Sequence, residues 1–286
     1  MFFSTLRFLH ISLFRLIGLM LFYVLRNRRA IAKTNLNFCF PAIKQNKSFN
    51  KNKVIKTLTK KSFINLGQTL GDFFFLKFYN NKNIDKYVEI KNIHYLKEAM
   101  SNGKGIILSS AHFGSWELAA HCLALKGFKS LIVHNQFRTL AFLNNFIKSQ
   151  REFCGNNLVD KQNCFIKIYK RLKAGKIVTI VTDQYATETD GEFVPFLGKN
   201  SLTHKIFAQM SLKTGAPIIC SFIFTLDPSK YVIEINKPID PLEFKDKPNA
   251  TYLMLKKHNE ILENAIKRSP ENWMWQHKRF KGVVEY

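Results

Sequence analysis

Six short apolar runs, spaced by segments long enough for helices, constrain this chain more than any other feature. They are "YVEI" (87–90), "KGIILSS" (104–110), "KSLIV" (129–133), "KIVTIVTD" (176–183), "PIICSFIF" (217–224) and "YVIEIN" (231–236). Runs of this length rich in Ile and Val suit buried strands. Their alternation with helix-length segments calls for an α/β fold, a central sheet with helices over its faces. The last two runs are joined by "TLDPSK", whose Asp-Pro is a turn signal. They are expected to form an antiparallel hairpin at one edge, which would make the sheet mixed. No repeat, Gly/Ser linker or heptad array breaks the pattern, so residues 31–286 are expected to form one continuous domain.

Residues 1–30 read differently. "FLHISLFRLIGLMLFYVL" (8–25) approaches the roughly 20 apolar residues of a spanning helix, but His10 and Arg15 interrupt it. A charge at the bilayer centre costs about 2.5 to 3.5 kcal/mol on insertion scales, so Arg15 must snorkel, pair or face protein. Arg26, Arg28, Arg29 and Lys33 follow at once, then a lysine-rich tract from Lys44 to Lys61. This asymmetry places the body of the protein in the cytoplasm, behind an uncleaved membrane anchor that spans the bilayer or lies in its interface. "SFINLGQTLGDFFFLKFYNN" (62–81) is a further helix, with four phenylalanines near its end that either pack in the core or rest on lipid.

Charge and cysteine usage narrow the partners. A formal net charge of +24 suits nucleic acid, anionic lipid or an acidic carrier protein, even after allowing for a genome that favours Lys, Asn and Ile. Five widely spaced cysteines with no C-x-x-C pair read as reduced thiols, and no metal site is implied.

The chemistry concentrates in "SSAHFGSWELAAHCL" (109–123). A strand ends at Ser110 and a helix starts near Ser115, so His112 and Gly114 fall in the strand-to-helix turn, where open α/β sheets gather reactive groups. If the chain folds back at Gly114, Glu117 could reach His112, fixing its tautomer and stabilising the imidazolium as it forms. The ordinary alternative is that Glu117 serves the helix dipole and pairs with His121 at i, i+4. Asp183 ends another strand at the same sheet edge, as a substrate contact or as a turn-former. "VPFLG" (194–198) offers either an acyl pocket or plain core.

"AHFGSWE" resembles the H-x-x-x-x-[D/E] signature of glycerolipid acyltransferases, and its form is similar to the lipid A late acyltransferases of Gram-negative inner membranes. Two more blocks resemble that family in order: "TDQ...EFVPFLG" (182–198) and "PENWMWQHKRFK" (270–281). The resemblance implies a glycerolipid-acyltransferase-like fold and a membrane-bound enzyme that moves a fatty acyl chain from acyl-carrier protein to a hydroxyl of an anionic lipid A precursor. His112 would be the base and Glu117 its support, with no cofactor, no metal and no acyl-enzyme. Another membrane lipid acceptor, or a non-catalytic lipid-binding role, is the alternative.

By the same resemblance Arg151 would bind a phosphate or polarise the thioester carbonyl. Arg138 is a further candidate for an acceptor contact, in "VHNQFRTLAFLNNF", a segment unlike the family's usual text. In the last block His277, Lys278, Arg279 and Lys281 form a basic patch beside Trp273 and Trp275. It would serve either lipid phosphate or a solvated face over packed tryptophans. Such a patch also suits single-stranded nucleic acid, which a membrane anchor argues against.

Overall fold

A computed structural model describes residues 2–43, 50–136 and 141–286. Helix α1 (Phe2–Val24) passes almost directly into α2 (Arg26–Ile43), and α3 (Lys51–Phe75) returns along α1. There follow β1 (Val88–Lys91), α4 (His94–Ser101), β2 (Ile106–Ser110), α5 (Trp116–Leu125), β3 (Ser130–His134), α6 (Ala141–Arg151) and β4 (Asn157–Asp160). The chain continues with α7 (Phe165–Lys173), β5 (Ile177–Val181), β6 (Gly191–Phe196), β7 (Lys199–His204), α8 (Ile206–Thr214), β8 (Ile218–Asp227), β9 (Lys230–Ile235) and α9 (Ala250–Arg268).

Seven strands form one sheet in the order β1-β9-β8-β2-β5-β3-β4, and β6 pairs with β7 as a separate antiparallel hairpin. All six expected strands are present. The β8–β9 pair is antiparallel and every other neighbour in the large sheet is parallel, so the sheet is mixed. β1 lies outside that hairpin, which therefore sits one place in from the edge.

Alternation along β2 assigns the layers. Ile106 and Leu108 join a core with Leu96 of α4, Leu118 and Leu123 of α5, and Phe75 at the end of α3. Ile107 points the other way, to Ile168 of α7, Phe207 of α8 and Met254 of α9. A third core gathers Phe22, Leu36 and Phe63 of the first three helices around Phe113, Trp273, Trp275 and Phe280. The "VPFLG" side chains belong to these cores: Val194, Phe196 and Leu197 are buried, and Leu197 and Gly198 take positive φ in the hairpin turn. They are plain core.

α1 is committed to α3 along its length. A Cβ at Gly18 would lie 2.4 Å from the Phe63 carbonyl oxygen, and one at Gly67 would lie 2.2 Å from that of Phe14, so the two backbones touch where glycine permits it. The long polar side chains of α1 turn inward: His10 Nε2 lies 2.9 Å from the Gly71 carbonyl, and Arg15 donates to Gln68 Oε1 at 2.5 Å. Arg15 therefore faces protein. Leu6, Leu9, Leu13, Leu16, Met20 and Tyr23, at helical spacing, are all exposed on the opposite face. The phenylalanine cluster divides: Phe75 is buried while Phe74 and Phe78 are exposed. All five cysteines are free thiols.

Candidate active site

Parallel pairing of β2 with β5 builds the centre of the site. Ser110 lies opposite Val181, so the residues two further along each strand, His112 and Asp183, leave the sheet side by side. Asp183 Oδ1 is 2.8 Å from His112 Nδ1, and Asp183 Oδ2 accepts from the His112 backbone N–H at 3.1 Å. Trp273 Nε1–H donates to the same Oδ2 at 2.8 Å. Burial pushes the Asp183 carboxyl up, but His112 and the Trp273 donor outweigh it and hold it at about 2.

An ionised Asp183 fixes the proton of His112 on Nδ1. Nε2 is then an acceptor, and the Gln184 amide nitrogen stands 3.2 Å from it. The imidazole packs edge-on to Trp116, with ring centroids 4.9 Å apart.

The last sequence block supports this turn. Gly114 N–H donates to the Asn272 carbonyl at 2.8 Å and Met274 N–H to the His112 carbonyl at 3.0 Å. Gly114 has φ of 57°, and a Cβ there would stand 2.0 Å from the Ile223 carbonyl oxygen, so glycine is required. All three sequence blocks thus meet at His112.

Glu117 is placed differently from the expected partner of His112. Its carboxylate faces Arg151, at the end of α6, which donates from Nε at 2.9 Å and from Nη2 at 2.5 Å in a two-point fork. Trp116 Nε1 adds a third donor at 3.2 Å. The reason is reach: Glu117 sits in the first turn of α5 facing α6, whereas the imidazole turns to β5. Asp183, read as a substrate contact or a turn-former, is the carboxylate that holds His112.

The terminal basic patch also divides. Arg279 is 2% exposed; it donates to the Leu202 carbonyl and, at 2.9 Å, to Thr203 Oγ1. Burial brings its pKa down to about 10. It clamps the β7 strand of the hairpin from a buried position. His277 is half-buried, with its carbonyl taken by Asn35 and its pKa lowered by burial. Lys278 and Lys281 stay exposed over buried Trp273 and Trp275. Arg138 and residues 44–49 of the lysine-rich tract lie outside the described residues.

His112, Glu117, Arg151 and Gln184 open onto a cavity of about 1160 Å³. Part of its wall is apolar, from Leu108, Ala119, Ala120, Leu123, Ile132 and Ile147 between the sheet and α5 and α6. Lys161, His204 and Lys205 line another part. Behind the site, Ser109 Oγ, Thr182 Oγ1 and His258 Nε2 lie within 2.8 to 3.1 Å of one another, and burial lowers His258 to about 4. This cluster ties the strands carrying His112 and Asp183 to α9. Nothing in the sequence pattern of α9 singles out His258.

The chain is similar to known proteins over nearly its whole length. The family profile described as bacterial lipid A biosynthesis acyltransferase matches residues 6–282. The chain is 25% identical over 269 residues to a lipid A biosynthesis palmitoleoyltransferase of Escherichia coli (strain K12), covering 93% of this chain and 82% of that protein. A lipid A biosynthesis acyltransferase of Haemophilus influenzae is 24% identical over 258 residues, 89% of this chain and 78% of its own. The lipid A biosynthesis lauroyltransferase of Escherichia coli (strain K12) is 20% identical over 268 residues, with 91% and 81% covered.

Proposed function

The chain belongs to the bacterial lipid A biosynthesis acyltransferase family, and from that premise we propose that it transfers a fatty acyl chain from acyl-carrier protein to a hydroxyl of a lipid A precursor. The observation that carries this reading is the His112–Asp183 pair at the wall of a cavity of about 1160 Å³ that has an apolar side.

His112 Nε2 takes the proton of the acceptor hydroxyl while its oxygen bonds to the thioester carbonyl carbon. The tetrahedral intermediate then collapses, the C–S bond breaks, and the imidazolium returns the proton to the leaving thiolate. Asp183 keeps the tautomer and stabilises the imidazolium, as a buried carboxylate does in hydrolase triads. Arg151, held by Glu117, brings a guanidinium to the cavity wall, suited to a phosphate or to the developing oxyanion. The acyl chain lies along Leu108, Ala119, Ala120, Leu123, Ile132 and Ile147. No side chain beside His112 is needed as a covalent nucleophile.

The protein works at the cytoplasmic face of the inner membrane. With His10 and Arg15 turned to α3, α1 exposes Leu6, Leu9, Leu13, Leu16, Met20 and Tyr23; Phe74 and Phe78 are exposed as well, and Arg26, Arg28 and Arg29 follow. A helix bound in this way lies in the interface with its apolar face in one leaflet, and the basic residues meet anionic headgroups. An N-terminal tag should then be shielded from a membrane-impermeant reagent in spheroplasts; labelling there would mean that α1 crosses the bilayer.

Mass spectrometry of lipid A from cells lacking the protein tests the reaction: one acyl group should be missing. Purified protein should use acyl-carrier protein thioester in preference to acyl-coenzyme A at low salt, the preference shrinking as salt screens the basic surface. Unchanged lipid A would remove the reading.

A further inference from the structure

We propose that Asp72 is a positioning residue for acyl transfer, holding the turn that carries His112 through Ser115, and that Arg7 makes α1 part of the active centre as well as a membrane contact. The inference rests on the acyl-transfer reading given above. Ser115 is the N-cap of α5, three residues beyond His112 and two before Glu117, and it is fully buried. A serine at an N-cap ordinarily accepts from an N–H of its own helix. This one makes no such bond; its hydroxyl donates to Asp72 Oδ2 across to α3. One turn earlier on α3, Thr69 Oγ1–H donates to the Gly114 carbonyl at 2.9 Å. α3 thus grips the turn at two successive residues.

Asp72 is fully buried, so its charge requires partners. Tyr231 donates to Oδ2 at 2.6 Å, and Arg7 Nη2, itself 1% exposed, lies 3.7 Å from Oδ1. Arg7 is held in turn by Tyr79 at 2.6 Å and Tyr231 at 3.2 Å, with its guanidinium 4.5 Å from the Tyr87 ring centre. A second connection runs from Arg15 through Gln68, whose amide donates to Tyr231 at 2.8 Å. The α1 helix therefore supplies the counter-charge that lets α3 present an anionic acceptor to the catalytic turn.

The full-length protein in detergent micelles tests this, with acyl-carrier-protein thioester and lipid A precursor, so that membrane binding plays no part. Two variants are measured for kcat, KM and melting temperature. Ser115→Ala removes the latch alone. The pair Arg7→Met with Asp72→Leu removes both charges together, so no orphaned ion remains, and its melting temperature is expected to stay near the native one. Both should lose about 10-fold or more in kcat, the scale expected when reacting groups lose their alignment, with KM for either substrate within about 2-fold. A role confined to folding would instead let kcat recover with the melting temperature of the double variant. The proposal is overturned if Ser115→Ala and the double variant both keep kcat within about 2-fold of native. Native protein that transfers nothing would sink the acyl-transfer reading itself, a result separate from that one.

Discussion

Two buried aspartates flank one turn and behave oppositely. Asp183 receives two N–H bonds from His112 and one from Trp273, and these outweigh its burial, so it stays ionised down to about 2. Asp72 receives hydroxyls and an arginine at 3.7 Å, and burial dominates, raising its carboxyl above the usual value. Depth of burial is therefore a poor guide to a carboxylate's state; the number and kind of donors decide it. The first is equipped to stabilise a positive imidazole during reaction. The second depends on one cation, Arg7, supplied by α1.

The largest effect should separate the carboxylates by rate. Asp183→Asn should lower kcat by about 100-fold or more, as should His112→Ala, because the Nδ1 proton and the imidazolium lose their support. Glu117→Gln, which disturbs Arg151 and leaves the His112 contacts in place, should cost less. Equal losses for Asp183→Asn and Glu117→Gln in a transfer assay would break the assignment of Asp183 as the partner of His112.

Stability should separate them next. Arg7→Met alone leaves Asp72 buried without its cation, and should destabilise the fold by about 3 kcal/mol or more in denaturant titration. Adding Asp72→Leu should restore most of that loss. A single variant as stable as native would mean that the Arg7 charge does not support Asp72.

Acid unfolding gives a smaller contrast of opposite sign. Asp183 binds its proton less readily folded than unfolded, so its contribution is present above about pH 4 and lost as pH falls through about 2. The gap between 3.8 and about 2 corresponds to about 2 kcal/mol. Asp72 binds its proton more readily when folded, so its ionisation costs stability, and that cost is relieved on acidification. Asp183→Asn should flatten the acid loss of stability and Asp72→Asn should steepen it. Melting curves between pH 5 and pH 2 that shift the same way in both variants would contradict the contrast.

The smallest effect on rate is expected where neither carboxylate is touched. Ala120→Phe fills the apolar wall and should move the preferred donor to a shorter acyl chain while keeping kcat for that donor within about 3-fold. Unchanged chain selectivity, measured with thioesters of different length, would remove this wall as the acyl site.

Much of this architecture follows from local patterning. Runs such as "KGIILSS" and "KIVTIVTD" are buried strands because short β-branched stretches have few other stable uses in a domain of this size. β4 was not evident, since "NLVD" is short and polar and has one fully buried residue, Val159, at the sheet edge. The β6–β7 hairpin was masked by Pro195, which breaks the strand signal, and its apolar side chains read equally well as a pocket. The strand-to-helix turn, and then resemblance to a known family, brought His112 and Glu117 forward. It could not give their partners.

Partner choice is a property of the assembled sheet. Glu117 is five residues from His112, yet α5 carries it to Arg151; Asp183 is 71 residues away, yet strand register brings it to 2.8 Å. Likewise α1 reads as a tether, since an apolar run with basic residues after it satisfies a membrane whatever lies beneath. Its inward arginine becomes meaningful only against Asp72. Hydrophobic period is written residue by residue along a chain, so elements and their apolar faces are legible there. Hydrogen bonds and charge pairs act over a few ångströms between segments distant in sequence, and those distances exist only once the elements have packed.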